Sequence, residues 1–211
     1  MSTSPWGNDN EEMIAMSTKT YTTTEERRRA ARVPLVEDQD LFGKLVGWYS
    51  RRTYGKVLDN GLALLHHRPI LFAIMKFEGK VAKWDRLDPD LKLLAQACSA
   101  AVIGCSWCMD FGYWAAQSKG LDTSKLEHVP SWRTSSVFDP LERRVLEYAE
   151  AMSLTPLEVT DEMTEALRAD LGEDGFVELT MMIAVENERS RFNSAIGLTS
   201  QGFKEQCELR R

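Results

Sequence analysis

The sequence is poor in four things: basic residues, a leader-like N-terminus, strand-like alternation and long apolar runs. Its 26 Lys and Arg face 32 Asp and Glu, a net charge of −6, and Arg27-Arg28-Arg29 is the one basic cluster. That balance argues against nucleic acid as a partner. Met1 to Asn10 lacks a basic region followed by an apolar one, so neither a signal nor a transit peptide is expected, and the chain is expected to be cytoplasmic. The stretch Ala97 to Ala116 carries a single charge, Asp110, and approaches the ~20 apolar residues that span a bilayer. Gly104 interrupts it, however, and Cys105, Ser106, Cys108 and Asp110 lie near its centre, so it reads as two buried helices and not a membrane span.

Cysteine is scarce as well: Cys98, Cys105, Cys108 and Cys207. Two structural disulfides would need an oxidising compartment. The expectation is therefore that Cys105-Ser106-Trp107-Cys108 forms a redox or metal site, that Cys98 is a small core residue and that Cys207 is a surface thiol.

What the sequence does have is helical periodicity over most of its 211 residues and enough apolar content, 43%, to bury one core. Residues 1–33 are polar and threonine-rich, which predicts a loosely ordered arm or one that wraps a partner subunit. Helices follow from Leu41, Val57 and Ile70 onward. Asp88-Pro89 and Asp139-Pro140, the latter with Glu142 three residues on, are start signals in which a carboxylate caps and proline opens the first turn. Thr160 caps a helix that stops at Gly172, and a last long helix runs from about Asp174 to Ala195 and ends at Gly197. Residues 201–211 form a tail.

Gly104 places Cys105 at the first turn of a new helix, where unpaired amides and the helix dipole favour a thiolate. A partner sulfur one turn on, at Cys108, is close enough to close a disulfide after one sulfur is oxidised to a sulfenic acid. Two other readings stay open. A structural zinc site usually draws on a second pair, and Cys98, Cys207, His66, His67 and His128 lack ligand-like spacing, so no metal is expected. Alternatively, both cysteines are simply packed in a core.

The run Leu87-Asp88-Pro89, then Ile103-Gly104-Cys105-Ser106-Trp107-Cys108-Met109-Asp110-Phe111-Gly112, then Ala115-Ala116 and Lys119-Gly120-Leu121, resembles the carboxymuconolactone decarboxylase superfamily, in particular its alkylhydroperoxidase D branch. Trp132 to Ser135, Phe138 to Ala149 and Glu188 to Gly197 resemble its downstream helices, so the likeness covers roughly residues 34–200. It implies an all-α, alkylhydroperoxidase D-like helical bundle that assembles as a dimer, trimer or hexamer. It also implies reduction of a small-molecule hydroperoxide or a disulfide, with a protein dithiol as donor and no cofactor. By the same likeness Cys108 would be oxidised to the sulfenic acid, and Cys105 would donate the proton and resolve it. The helix-start argument points instead to Cys105 as the more activated sulfur.

The chain departs from that branch at its proton relay. The family's Glu twelve residues before the first Cys is Leu93 here, and its His four residues after the second is Gly112. General acid–base help is worth about 10² to 10⁴ in rate, so another group must serve if the chemistry is kept. Asp110 is the nearest candidate, although two residues along a helix point it away from Cys108. Glu186, Arg189 and Asn193 share a face of the last helix, and Glu188 is spaced to pair with Arg191. Glu186, Trp107 and Phe111 are accordingly candidates for a pocket wall, with ion pairing and core packing as their ordinary alternatives. A catalytically degenerate relative with a binding or structural role is the alternative function. A lactone decarboxylase is less favoured, because the decarboxylases of this group lack the Cys pair.

Overall fold

The computed structural model describes residues 23–35 and 40–208, and among these every regular element is helical. The first helices form where local chemistry starts them. Thr23 and Glu26 make a reciprocal capping box on α1 (Thr24–Ala30). Asp40 accepts from the Gly43 amide at 2.8 Å to start α2 (Leu41–Tyr54). After α3 (Asp59–Leu64) and one 3-10 turn, His67 caps α4 (Arg68–Val81) by accepting from the Ile70 amide.

Asp88 and Asp139 cap α5 (Pro89–Ile103) and α7 (Pro140–Ser153) as expected, each with proline in the first turn. Between them lies α6 (Ser106–Ser118), followed by a 3-10 segment at Leu126–Ser131. Thr160 caps α8 (Asp161–Ile196), which breaks at Gly172 (φ 69°) before continuing to Gly197. The last element is α9 (Phe203–Glu208).

The main core lies where α5, α7 and α8 pack together. Leu94, Ala95 and Cys98 from α5 meet Val145, Leu146 and Ala149 from α7 and Leu179 and Ile183 from α8, all essentially sealed from solvent. Each large aliphatic side chain buried there contributes about 1.5–3 kcal/mol relative to exposure. A second cluster joins Leu35, Leu62, Leu65 and Leu71 to Ala100, Cys105 and Trp107, so the thiol pair sits where the N-terminal helices meet α5 and α6. No helix among the described residues is long and apolar enough to cross a membrane.

Both ends differ from the sequence expectation. Residues 1–22 lie outside the described residues. From Thr23 onward, the expected loose arm is a helix docked on the body. Arg27 pairs with Asp59 at 3.1 Å, and the Arg32 amide donates to the Ile196 carbonyl at 2.7 Å. That close approach depends on Gly197 (φ 80°), since a Cβ there would lie 2.5 Å from the Ala30 carbonyl oxygen. At the other end, the expected tail is partly core: Gln201 and Phe203 are buried, the latter completely.

A candidate thiol active site

Gly104 takes the left-handed conformation (φ 79°) that ends α5, and Cys105 is the N-cap of α6. The chain therefore turns within one residue and presents both cysteines at the start of a new helix. Cys105 and Cys108 are joined as a disulfide, with their Cα atoms 5.3 Å apart. Cys105 Sγ accepts from the Cys108 amide at 3.2 Å, so this sulfur does the work that a Ser or Asp usually does at a helix start.

The two sulfurs are not equally placed. Both belong to the second core cluster, but Cys105 is 1% exposed, whereas Cys108 is 9% exposed and also lines a large cleft of about 2350 Å³. Cys108 is therefore the more accessible of the two. The helix-start argument correctly located the amide contact at Cys105, but the tertiary packing decides which sulfur is reachable.

Several helices line the cleft on which Cys108 lies. α8 supplies Asn193, whose Nδ2 donates to Cys108 Sγ at 3.3 Å. Leu93 on α5 and Gly112 on α6 also line the cleft, so neither position brings a proton carrier to it. Glu186 lines it from α8, is 6% exposed, and accepts from Ser190 Oγ at 2.8 Å and from Arg189 at 3.3 Å. Arg189 also forms a two-point pair with Glu78 of α4, its Nε lying 2.8 Å from Oε1. Burial pushes the Glu186 carboxyl up to about 7, against the opposing pull of Arg189 and Ser190.

Asp110 is buried, and its carboxylate is taken up by the C-terminal segment. Its carboxylate accepts from the backbone amides of Gln201 at 2.8 Å, Phe203 at 3.0 Å and Lys204 at 2.8 Å. It thereby pins the start of α9. Gln201 extends the same support, since its Oε1 accepts from Trp107 Nε1 at 2.8 Å and from the Asp59 amide at 2.9 Å. Sequence reasoning missed Gln201 altogether, and no local signal pointed to it.

Phe111 stacks on Trp107 with centroids 5.0 Å apart and also meets Trp114, Tyr54 and Phe203. Trp107 and Phe111 line the cleft and also belong to this packed aromatic group. Arg191 reaches the Ser153 carbonyl at 3.1 Å and Thr155 Oγ1 at 3.3 Å. Cys98 is sealed in the main core, where burial raises its thiol pKa strongly. No group of three or more His, Cys, Asp or Glu among the described residues is placed to hold a metal ion.

Residues 70–151 match the model of the carboxymuconolactone decarboxylase family. The uncharacterized protein YnjA of Escherichia coli (strain K12) is 35% identical over 158 residues, which is 74% of this chain and 86% of that protein. The chain belongs to the carboxymuconolactone decarboxylase family. Within it, the fold is alkylhydroperoxidase D-like. An uncharacterized peroxidase-related protein of Ralstonia eutropha JMP134 with an alkylhydroperoxidase AhpD core superposes with TM-score 0.68 at 18% identity, over 82% of this chain and 94% of that one. The debrominase Bmp8, a cysteine variant bound to 2,3,4-tribromopyrrole, superposes with TM-score 0.70 at 17% identity, over 86% of this chain and all of that one. At these identities the likeness to the two structures concerns the fold.

Proposed function

We propose that this family member is a thiol-dependent oxidoreductase that reduces a hydroperoxide through its Cys105–Cys108 pair. The observation that carries this reading is the placement of the sulfurs: Cys108 opens on the cleft while Cys105 lies sealed one turn away, already bonded to it. In the dithiol state, the Cys108 thiolate attacks the outer peroxide oxygen. An S–O bond forms, the O–O bond breaks, and the alkoxide leaves as alcohol once protonated. Cys105 then attacks the Cys108 sulfenic acid, forming the S–S bond and releasing water. The net change converts dithiol and hydroperoxide to disulfide, alcohol and water, and an external dithiol returns the pair to its starting state. The buried Cys105 needs no solvent path, because its partner is the neighbouring sulfur.

Mass measurement after one equivalent of an alkyl hydroperoxide tests this. The reduced protein should lose two hydrogens, located between Cys105 and Cys108. A pair that stays reduced, with the fold intact, would favour a binding or structural role, the reading to which the empty relay positions Leu93 and Gly112 lend support.

A homo-oligomer is part of the same proposal. Leu41, Leu45, Trp48 and Tyr49 on α2 and Ile70, Phe72 and Met75 on α4 are exposed, Leu41 by 85%. Apolar side chains exposed on two helices of the N-terminal half suit burial against a second copy. Light scattering should give a mass that is a multiple of 24.0 kDa, and a monomer would remove this part of the proposal.

A further inference from the structure

Asn193 directs a buried amide at a sulfur. It is 1% exposed on α8, and its Nδ2 donates to Cys108 Sγ at 3.3 Å. Its Oδ1 is sealed from solvent and finds no hydrogen-bond partner among the described residues. Asn187, on the same helix, shows the ordinary structural use of such an amide: its Nδ2 donates to Ser153 Oγ at 3.0 Å and to the Ile183 carbonyl at 3.1 Å. A disulfide sulfur is a weak acceptor by comparison, so the Asn193 amide is poorly satisfied while Cys105 and Cys108 are joined.

The dithiol state reverses that balance. Once Cys108 ionises, its sulfur becomes an anionic acceptor, and an amide hydrogen already aimed at it makes a charge-assisted bond. A hydrogen bond to the charged form favours that form, so the thiolate is the state of Cys108 to which this side chain is matched. The charged groups that α4, α5, α6 and α8 bring to the cleft are Glu78, Lys92, Asp110, Glu186, Glu188 and Arg189. Lys92 pairs with Glu178, Arg189 pairs with Glu78 and Glu186, and Asp110 holds amides of the C-terminal segment. Replacing the uncharged Asn193 leaves all six in place.

We propose that Asn193 is a catalytic residue of this site, its side-chain amide donating to the Cys108 thiolate to favour ionisation and to hold the sulfur as it attacks. The inference rests on the peroxide-reducing reading and adds the group that makes the attacking form of Cys108 available. A donated hydrogen bond acts in two opposed ways. It raises the fraction of thiolate, and it makes each thiolate less nucleophilic with roughly half the weight of the first effect. The first effect prevails below the thiol's pKa and the second above it. Two pH profiles that cross are therefore the signature of this bond, and loosened packing does not produce them.

The test follows alkylation of Cys108 by iodoacetamide against pH in the reduced full-length protein, read by peptide mass, beside oxidation by cumene hydroperoxide. Asn193→Leu keeps a branched side chain without the amide, and should move the alkylation inflection up by about one pH unit. It should react about threefold more slowly than native below both inflections and about threefold faster above both, and oxidation should cross in the same way. Asn193→Asp sets a carboxylate against the sulfur and should move the inflection further up. Asn187→Ala, which removes structural bonds of the same helix, should melt at lower temperature and keep the native inflection. In the isotope-labelled native protein, the Asn193 side-chain amide resonances should titrate together with Cys108, a readout that needs no variant to fold. An inflection unchanged in both Asn193 variants, or amide resonances that ignore the ionisation of Cys108, would overturn the proposal. If the native protein ignores the hydroperoxide while the alkylation profiles cross, the peroxide reading fails by itself and the service of this amide to Cys108 stands.

Discussion

Cys108→Ser is expected to lower dithiol-supported hydroperoxide consumption by at least about 10³-fold, because the one sulfur that reaches the cleft is removed and a serine hydroxyl cannot take its place as nucleophile. Cys105→Ser should behave differently. Its Cys108 remains exposed to the cleft, so the first oxidation proceeds and a single turnover is seen. The resolving sulfur is gone, however, and steady turnover by a dithiol donor falls to whatever rate the donor can attack the sulfenic acid directly. Consumption followed with the two variants side by side checks the assignment. Equal loss of the first oxidation step in both would contradict the division of roles between the accessible and the sealed sulfur.

The second large effect concerns stability. Asp110→Ala should destabilise the fold by about 3–5 kcal/mol in denaturant unfolding, because the buried amides of Gln201, Phe203 and Lys204 lose a charged acceptor together. α9 has only six residues, too few to persist in water without such an anchor. Its release would uncover Phe203 and break the Gln201 bond to Trp107, next to the thiols. At temperatures where the variant is folded, its rate of oxidation by peroxide should stay within a few-fold of native. A variant of native stability with oxidation abolished would return Asp110 to the relay role that its sequence position first suggested.

Features governed by neighbours a few residues apart were legible in the sequence. The Asp88, Asp139 and Thr160 caps, the stops at Gly104, Gly172 and Gly197, and the helix start at Cys105 follow from chemistry within one turn. Features set by distant partners were not. Asp110 finds its amides 91 to 94 residues away, and Arg189 finds Glu78 at a separation of 111. Spacing also suggested a Glu188–Arg191 pair, but the end of α7 and the residues just after it offer Arg191 the Ser153 carbonyl and the Thr155 hydroxyl. The docking of α1 and the burial of Gln201 and Phe203 depend on contacts that polar or short segments do not announce.

For the site itself, the paired sulfurs and Glu186 were both in view from the residues, whereas their division of labour was not. Amide density at a helix start favoured Cys105. Packing then closed Cys105 off and left Cys108 lining the cleft, and exposure, a tertiary property, is what the proposed division of roles rests on.

That division is open to direct measurement. The Cys105→Ser protein, reduced and treated with one equivalent of hydroperoxide in the presence of dimedone, should yield one adduct, located by peptide mass on Cys108. An adduct on Cys98 or Cys207 instead, or none at all, would contradict the claim that Cys108 is the sulfur that attacks.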